Sequence, residues 1–342
     1  MASRKGKYTI LFDDPPGIRA SAAVGCAKEA DGPLGDMFDI INRDSYFGQK
    51  TWEKAESEMQ KQAVAKALEK AGLTASEVEA VFAGDLLNQC VGSTYGLRAL
   101  GIPFVGLFGA CSTMAESLCV AATFLDAGAI KRGIACTSSH FCTAERQFRY
   151  PLEYGGQRPP TAQWTATASG AAVLEKGDLP PFIRGITIGT IEDLGICDAN
   201  NMGAAMAPAA AATLKHFFDD TGTKPADFDL VITGDLGQVG SELLRELLRR
   251  DGYDLEHRQS DCGMLLFDRE KQDVHAGGSG CGCAASVFCG HLVPLLRQKK
   301  LRDILFIATG ALMSPTVVQQ GESIASIAHL VYLSSEKSGG KI

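Results

Sequence analysis

The stretch Phe108-Gly109-Ala110-Cys111-Ser112-Thr113-Met114-Ala115-Glu116-Ser117-Leu118 decides how this chain is read. Small residues lead into a cysteine, and an apolar helix follows. The start of a helix carries positive partial charge, which predicts a stabilised thiolate and a lowered thiol pKa at Cys111. Cys281 stands 170 positions later, at the matching place in a second copy of the same unit. In that block Cys119 meets Cys289, Leu125 meets Leu295 and Arg132 meets Arg302. Each copy reads as a helix, a basic turn and a buried strand, the strands falling at 133–139 and 303–310.

A second block repeats upstream. Residues 71–86 lie over residues 221–236 without a gap, at an offset of 150, and both copies end an apolar strand in Gly-Asp-Leu, at Asp85 and Asp235. Two blocks in the same order argue for duplication. The expected organisation is therefore an N-terminal half over 1–178 and a C-terminal half over 179–342, related by a pseudo-two-fold axis. Helix and strand alternate through the rest, which predicts mostly parallel sheets covered by helices. Residues 60–71 carry a helical stripe (Ala63, Val64, Ala67, Leu68, Ala71) closed by Gly72. Residues 204–218 form an alanine-rich helix suited to burial between layers, and 241–250 an amphipathic surface helix. Residues 143–165, rich in Arg, Gln, Gly and Pro, read as a long loop or flap.

Composition narrows the function. The chain has 342 residues, 45% of them hydrophobic, and a formal charge of −7. Without a basic stripe, nucleic acid is not expected as a partner. The longest apolar runs are too short to span a bilayer, and no apolar segment follows the basic N-terminus as a secretory signal would require. Eleven cysteines scattered through apolar segments predict buried free thiols in a reducing compartment.

Five side chains are candidates for one pocket at the seam between halves: Asp85, Cys111, His140, Asp235 and Cys281. Each ends a predicted strand or opens a central helix, where α/β folds gather ligand sites. Solvated turn aspartates and a satisfied interior histidine are the plainer readings. Arg146, Arg149 and Arg158 lie in the flap, where guanidinium forks suit planar dicarboxylates and solvated or interfacial arginines are the alternative. Cys281-Gly282-Cys283 with Cys262 lacks the second clean pair of a structural zinc site, so no metal site is assigned. Gly277-Gly278-Ser279-Gly280 lacks the Lys and Ser/Thr that complete a phosphate loop.

The paired halves, the Gly109-Ala110-Cys111-Ser112 helix start, the 278–286 stretch and Gly310 resemble the thiolase superfamily, especially its ketoacyl synthase III type condensing enzymes. That resemblance implies a thiolase-like α/β fold with five α-β-α-β-α layers. Over about residues 7–342 the chain is more closely similar to the stage V sporulation protein AD family of spore-forming bacteria. Residues 82–89, 137–141 and 147–155, together with Trp164-Thr165, carry that closer likeness.

Departures from the condensing enzymes bear on function. Those enzymes place a His where this chain has Gly234-Asp235 and an Asn where it has Cys281. Such preorganised donors are commonly worth ~3 kcal/mol each. An Asp would repel an enolate, and a Cys is a weak donor.

The resemblance therefore implies a non-catalytic protein that binds dipicolinic acid. It would support uptake of that acid into the forespore and its release at germination, peripherally on the spore inner membrane with other stage V channel proteins. The family also implies a homodimer through an edge strand of the first half. His140 and the Cys111 helix would donate to the ligand's carboxylates. The aspartates would repel it, so either calcium accompanies the acid or one aspartate is held neutral. The alternative is an acyl-thioester enzyme using Cys111; a scaffold with a vestigial pocket is a third reading.

Overall fold

The computed structural model describes residues 2–149, 156–339 and 342, and of Glu256 the backbone alone. Ten strands form its frame. In chain order they are β1 (Gly17–Gly25), β2 (Ala80–Asp85), β3 (Phe104–Gly106), β4 (Arg132–Ser139), β5 (Ala168–Glu175), β6 (Phe182–Thr187), β7 (Leu230–Thr233), β8 (Gln259–Asp261), β9 (Asp303–Ala311) and β10 (Ser326–Ser334). The first five run in the order β1-β5-β4-β2-β3 and the last five in the order β6-β10-β9-β7-β8. Each set has three parallel strands, β3-β2-β4 and β8-β7-β9. Each then has two antiparallel pairings, β4 with β5 and β5 with β1, matched by β9 with β10 and β10 with β6. The sets join where Phe182 lies opposite Gly17. Asp85 and Asp235 thus follow topologically equivalent strands.

Helices fill the layers. α1 (Trp52–Ala71) starts at Thr51, whose side chain accepts from the Lys54 N–H, and stops at Gly72, whose φ of 65° ends it without a Cβ penalty. Its buried stripe of Ala55, Met59, Ala63, Val64, Ala67 and Leu68 covers the outer face of β1, β4 and β5. With α2 (Val91–Leu97) it forms the first outer layer. α3 (Thr113–Asp126) lies between the sheets, touching β2 and β4 on one side and β9 and β10 on the other. After α4 (Phe141–Phe148), α5 (Met202–Thr221) and α6 (Gly237–Arg250) cover the second sheet, and α7 (Cys281–Val287) shares the central layer with α3. The result is the five-layer thiolase-like architecture.

The central layer explains the small residues around both cysteines. A Cβ on Gly282 of α7 would sit 2.1 Å from the Ala168 carbonyl oxygen of β5, and one on Gly170 would sit 2.3 Å from that of Ala285. Helix and sheet backbones touch, so no side chain fits between them.

One expectation is corrected. Part of the presumed flap, 143–148, belongs to α4, because His140 caps its N-terminus and Ala144 and Phe148 turn an apolar stripe inward. Residues 150–155 of the flap lie outside the described residues. All eleven cysteines are free, and Cys197 is exposed.

Gly282→Ala should lower stability by about 3 kcal/mol, the upper end of overpacking costs, because the Ala168 carbonyl oxygen and the Ser139 N–H that a Cβ would meet are backbone. Urea unfolding measures this, and a parent-like midpoint would contradict the close-packed central layer.

Candidate functional site

The strand ends and central helix starts of both halves meet in one region. There a cavity of about 480 Å³ between protein atoms, its open mouth included, is lined largely by apolar side chains. Phe108, Phe148, Met202, Met206 and Met313 form its walls, with Leu86, Ala110, Cys111 and Ala144 deeper in. Its polar lining comprises Thr165, Ser279 and Arg149 beside the Cys111 thiol. A pocket of this character suits small ligands held by a few polar groups.

Cys111 sits in a tight 3-10 turn, Ala110–Ser112, that leads into α3. Ala110 holds a left-handed φ of 50°, an uncommon conformation for a residue with a Cβ. That turn places the Cys111 thiol close enough to Asp235 for the carboxylate charge to act on it. Asp235 is fully buried and also accepts from the Gly280 N–H at 2.8 Å, the Thr309 hydroxyl at 2.9 Å and the Ser279 hydroxyl at 3.2 Å. Burial pushes its carboxyl pKa up, opposed by these donors.

The thiol pKa expectation is reversed. Burial, then the charge of Asp235, pushes the Cys111 pKa well above the ordinary thiol value. A helix start acts over about one turn and is outweighed by desolvation and a carboxylate in contact. Cys111 is a protonated thiol.

The other candidates divide. Cys281 belongs to the same small apolar cluster as Leu86, Cys111 and Ala144, and its thiol donates to the Ser138 carbonyl at 2.9 Å. Asp85, though equivalent to Asp235 in topology, is turned into a different network. It accepts from the Leu87 N–H at 2.9 Å and from the Ser93 N–H and hydroxyl at 2.7 Å each. Burial raises its pKa, and its charge acts on the neighbouring Glu56.

His140 does not supply ligand donors in this arrangement. Its Nδ1 accepts the Cys142 N–H at 3.1 Å, capping α4, while Nε2 donates to the Ser45 carbonyl at 2.8 Å. Both ring nitrogens are spent, and burial lowers the ring's pKa. Neither Asp85, Asp235, Cys281 nor His140 is among the residues lining the cavity. Among the described residues no group of three or more His, Cys, Asp or Glu side chains is placed to hold a metal ion.

The flap arginines also separate. Arg146 pairs with Glu53 near the surface and lies over the Trp52 ring. Arg158 donates to the Asp273 carbonyl at 2.8 Å and lies over Trp164. Arg149 alone lines the cavity. Its side chain is 8% exposed, it pairs with Glu145 through Nη1, and its buried Nε has no hydrogen-bond partner among the described residues. A buried donor without an acceptor costs ~1–3 kcal/mol. In sequence only the Glu145/Arg149 spacing of four, next to Phe148, distinguished this arginine from its neighbours. Met202 and Met206 share one face of α5, but nothing in the sequence brings Met313, from a distant segment, to the same wall.

Comparison with known proteins follows from this geometry. The family model described as Stage V sporulation protein AD matches residues 6–334. The Stage V sporulation protein AD of Bacillus subtilis (strain 168) is 47% identical over 337 residues, 98% of each chain. A 3-oxoacyl-[acyl-carrier-protein] synthase III from Aquifex aeolicus superposes with a TM-score of 0.58 at 14% identity, over 93% of this chain and 99% of that one. An OleA variant from Xanthomonas campestris superposes with a TM-score of 0.60 at 13% identity, over 95% and 99%. At these identities the two enzymes share the fold alone.

Alkylation with iodoacetamide at neutral pH should label Cys197 at least tenfold faster than Cys111. Asp235→Asn should narrow that gap by removing the charge that opposes the thiolate. Equal labelling of the two cysteines in the parent, read by peptide mass spectrometry, would contradict a protonated Cys111.

Proposed function

The chain belongs to the stage V sporulation protein AD family, and from that premise we propose that it is a non-catalytic binding protein for dipicolinic acid. One observation carries the reading: the buried Arg149 side chain is the only charged one among the described residues lining an apolar cavity. A guanidinium fork matches a carboxylate in shape and charge. Met and Phe side chains around it offer adaptable and flat surfaces to an aromatic ring. Thr165 supplies a hydroxyl that a second carboxylate can reach within the same lining. Asp235 lies directly behind the lining residue Ser279, and calcium accompanying the acid would offset its charge.

Against thioester chemistry stands the state of Cys111. A nucleophilic cysteine needs a thiolate or an adjacent base. This thiol faces a buried carboxylate, and no histidine is among the described lining residues. The competing reading, an acyltransferase using Cys111, draws on the enzymes that share the fold. In the favoured reading the protein serves movement of dipicolinate during sporulation and germination, together with other stage V proteins. Among the described residues no helix is long and apolar enough to cross a membrane, so an association with the spore inner membrane would be peripheral. The exposed β3 edge, with Phe104, is the natural place for a second copy to pair.

Calorimetry with dipicolinate should show binding by the parent, weakened at least tenfold, ~1.4 kcal/mol, by Arg149→Met and by Cys111→Phe. Parent-like affinity in both folded variants would move the site elsewhere. A stoichiometric acyl adduct on Cys111 after incubation with acetyl-CoA, seen by intact mass, would favour the enzyme instead.

A further inference from the structure

A second buried acid stands behind the cavity wall. Glu56 of α1 is fully buried, with Oε1 3.2 Å from the Ser138 hydroxyl of β4 and Oε2 2.7 Å from the Thr143 hydroxyl of α4. The Thr143 hydroxyl also lies 2.9 Å from the His140 carbonyl. A hydroxyl has one hydrogen, yet here it faces two acceptors if Glu56 is a carboxylate. A proton on Glu56 Oε2 resolves the conflict: the acid donates to Thr143, and Thr143 donates to the His140 carbonyl. Both contacts are then hydrogen bonds.

The surroundings agree. Asp85, from β2, is the neighbouring carboxylate, and its three donors favour its ionised form. Cys281, from α7, is the other titratable group facing Glu56, and its thiol is protonated. His140, at the head of α4, has its ring committed to Ser45 and Cys142. No lysine or arginine is among the groups that act on Glu56. Burial and then the Asp85 charge push its pKa up to about 8.

This bond holds the first turn of α4, and α4 presents Ala144 and Phe148 to the cavity and ends at Arg149. We propose that protonated Glu56 is a positioning residue that braces α4, so that affinity for the cavity's ligand falls when the proton is lost at alkaline pH. The proposal rests on the binding reading above. The sign follows from the raised acid: the neutral brace is present below its folded-state pKa and is lost as pH rises through it. The ionised form would leave a second negative charge beside Asp85 and one hydroxyl hydrogen for two acceptors. Arg149 keeps its charge throughout, so loss of ligand attraction is not the cause.

The test compares the parent with Glu56→Gln, whose amide can still donate to Thr143. Dipicolinate affinity of the parent should fall at least fivefold between pH 7 and pH 9 by calorimetry, and that of Glu56→Gln less than twofold. Infrared difference spectra without ligand should show a protonated carboxyl band in the parent at pH 7. That band should be lost by pH 9.5 and be absent from Glu56→Gln. An absent band at pH 7, or the same pH dependence in both proteins, overturns the brace. If dipicolinate fails to bind the parent at either pH, the binding reading falls, and the infrared band still decides whether Glu56 carries the proton.

Discussion

The hydrogen-bond set around Asp235 is the constraint on which the rest of the seam depends. One buried carboxylate takes the Gly280 N–H before α7, the Ser279 hydroxyl and the Thr309 hydroxyl of β9. It therefore ties the start of α7 to the second sheet, and its charge acts on the Cys111 thiol before α3. A buried charge is tolerated only when such donors surround it, and removing one donor leaves a costly remainder. Burial and then the charge of the same carboxylate oppose ionisation of the Cys111 thiol.

Duplication supplied the frame, and divergence between the copies made the site. Asp85 and Asp235 follow equivalent strands, but Asp85 bonds to Ser93 and Leu87 within its own half. Cys111 lines the cavity, whereas Cys281 turns its thiol to a carbonyl of β4. The same strand order in both sets thus carries an asymmetric set of side chains, with Cys111 but not Cys281 lining the cavity. Close packing of glycines against carbonyls holds the central helices rigidly enough for that asymmetry to be reproducible.

The fold was readable in the sequence because duplication repeats strand and helix signals at fixed offsets, and the Gly-Asp-Leu ends mark equivalent strands. The site was only partly readable. Cys111 could be placed from its helix start, but the sign of its pKa shift could not, since that depends on Asp235, distant in sequence. His140 looked like a ligand donor because strand ends gather sites; whether its nitrogens were free depended on Ser45, 95 residues away. Arg149 could be named only as one of three flap arginines. Its distinction is burial, and burial here comes from Phe148 and methionines contributed by other segments. Glu56 was hidden for the same reason: a glutamate in an amphipathic helix reads as solvated until the facing layer is known.

The central claim is that a small aromatic diacid is held in the cavity by the Arg149 guanidinium. A crystal structure of the protein with dipicolinate tests it most directly. The account predicts a ligand carboxylate within hydrogen-bonding distance of Arg149 Nε, with the ring against Phe148 and the methionines. Dipicolinate bound at another site, with Arg149 still lacking an acceptor, would contradict it.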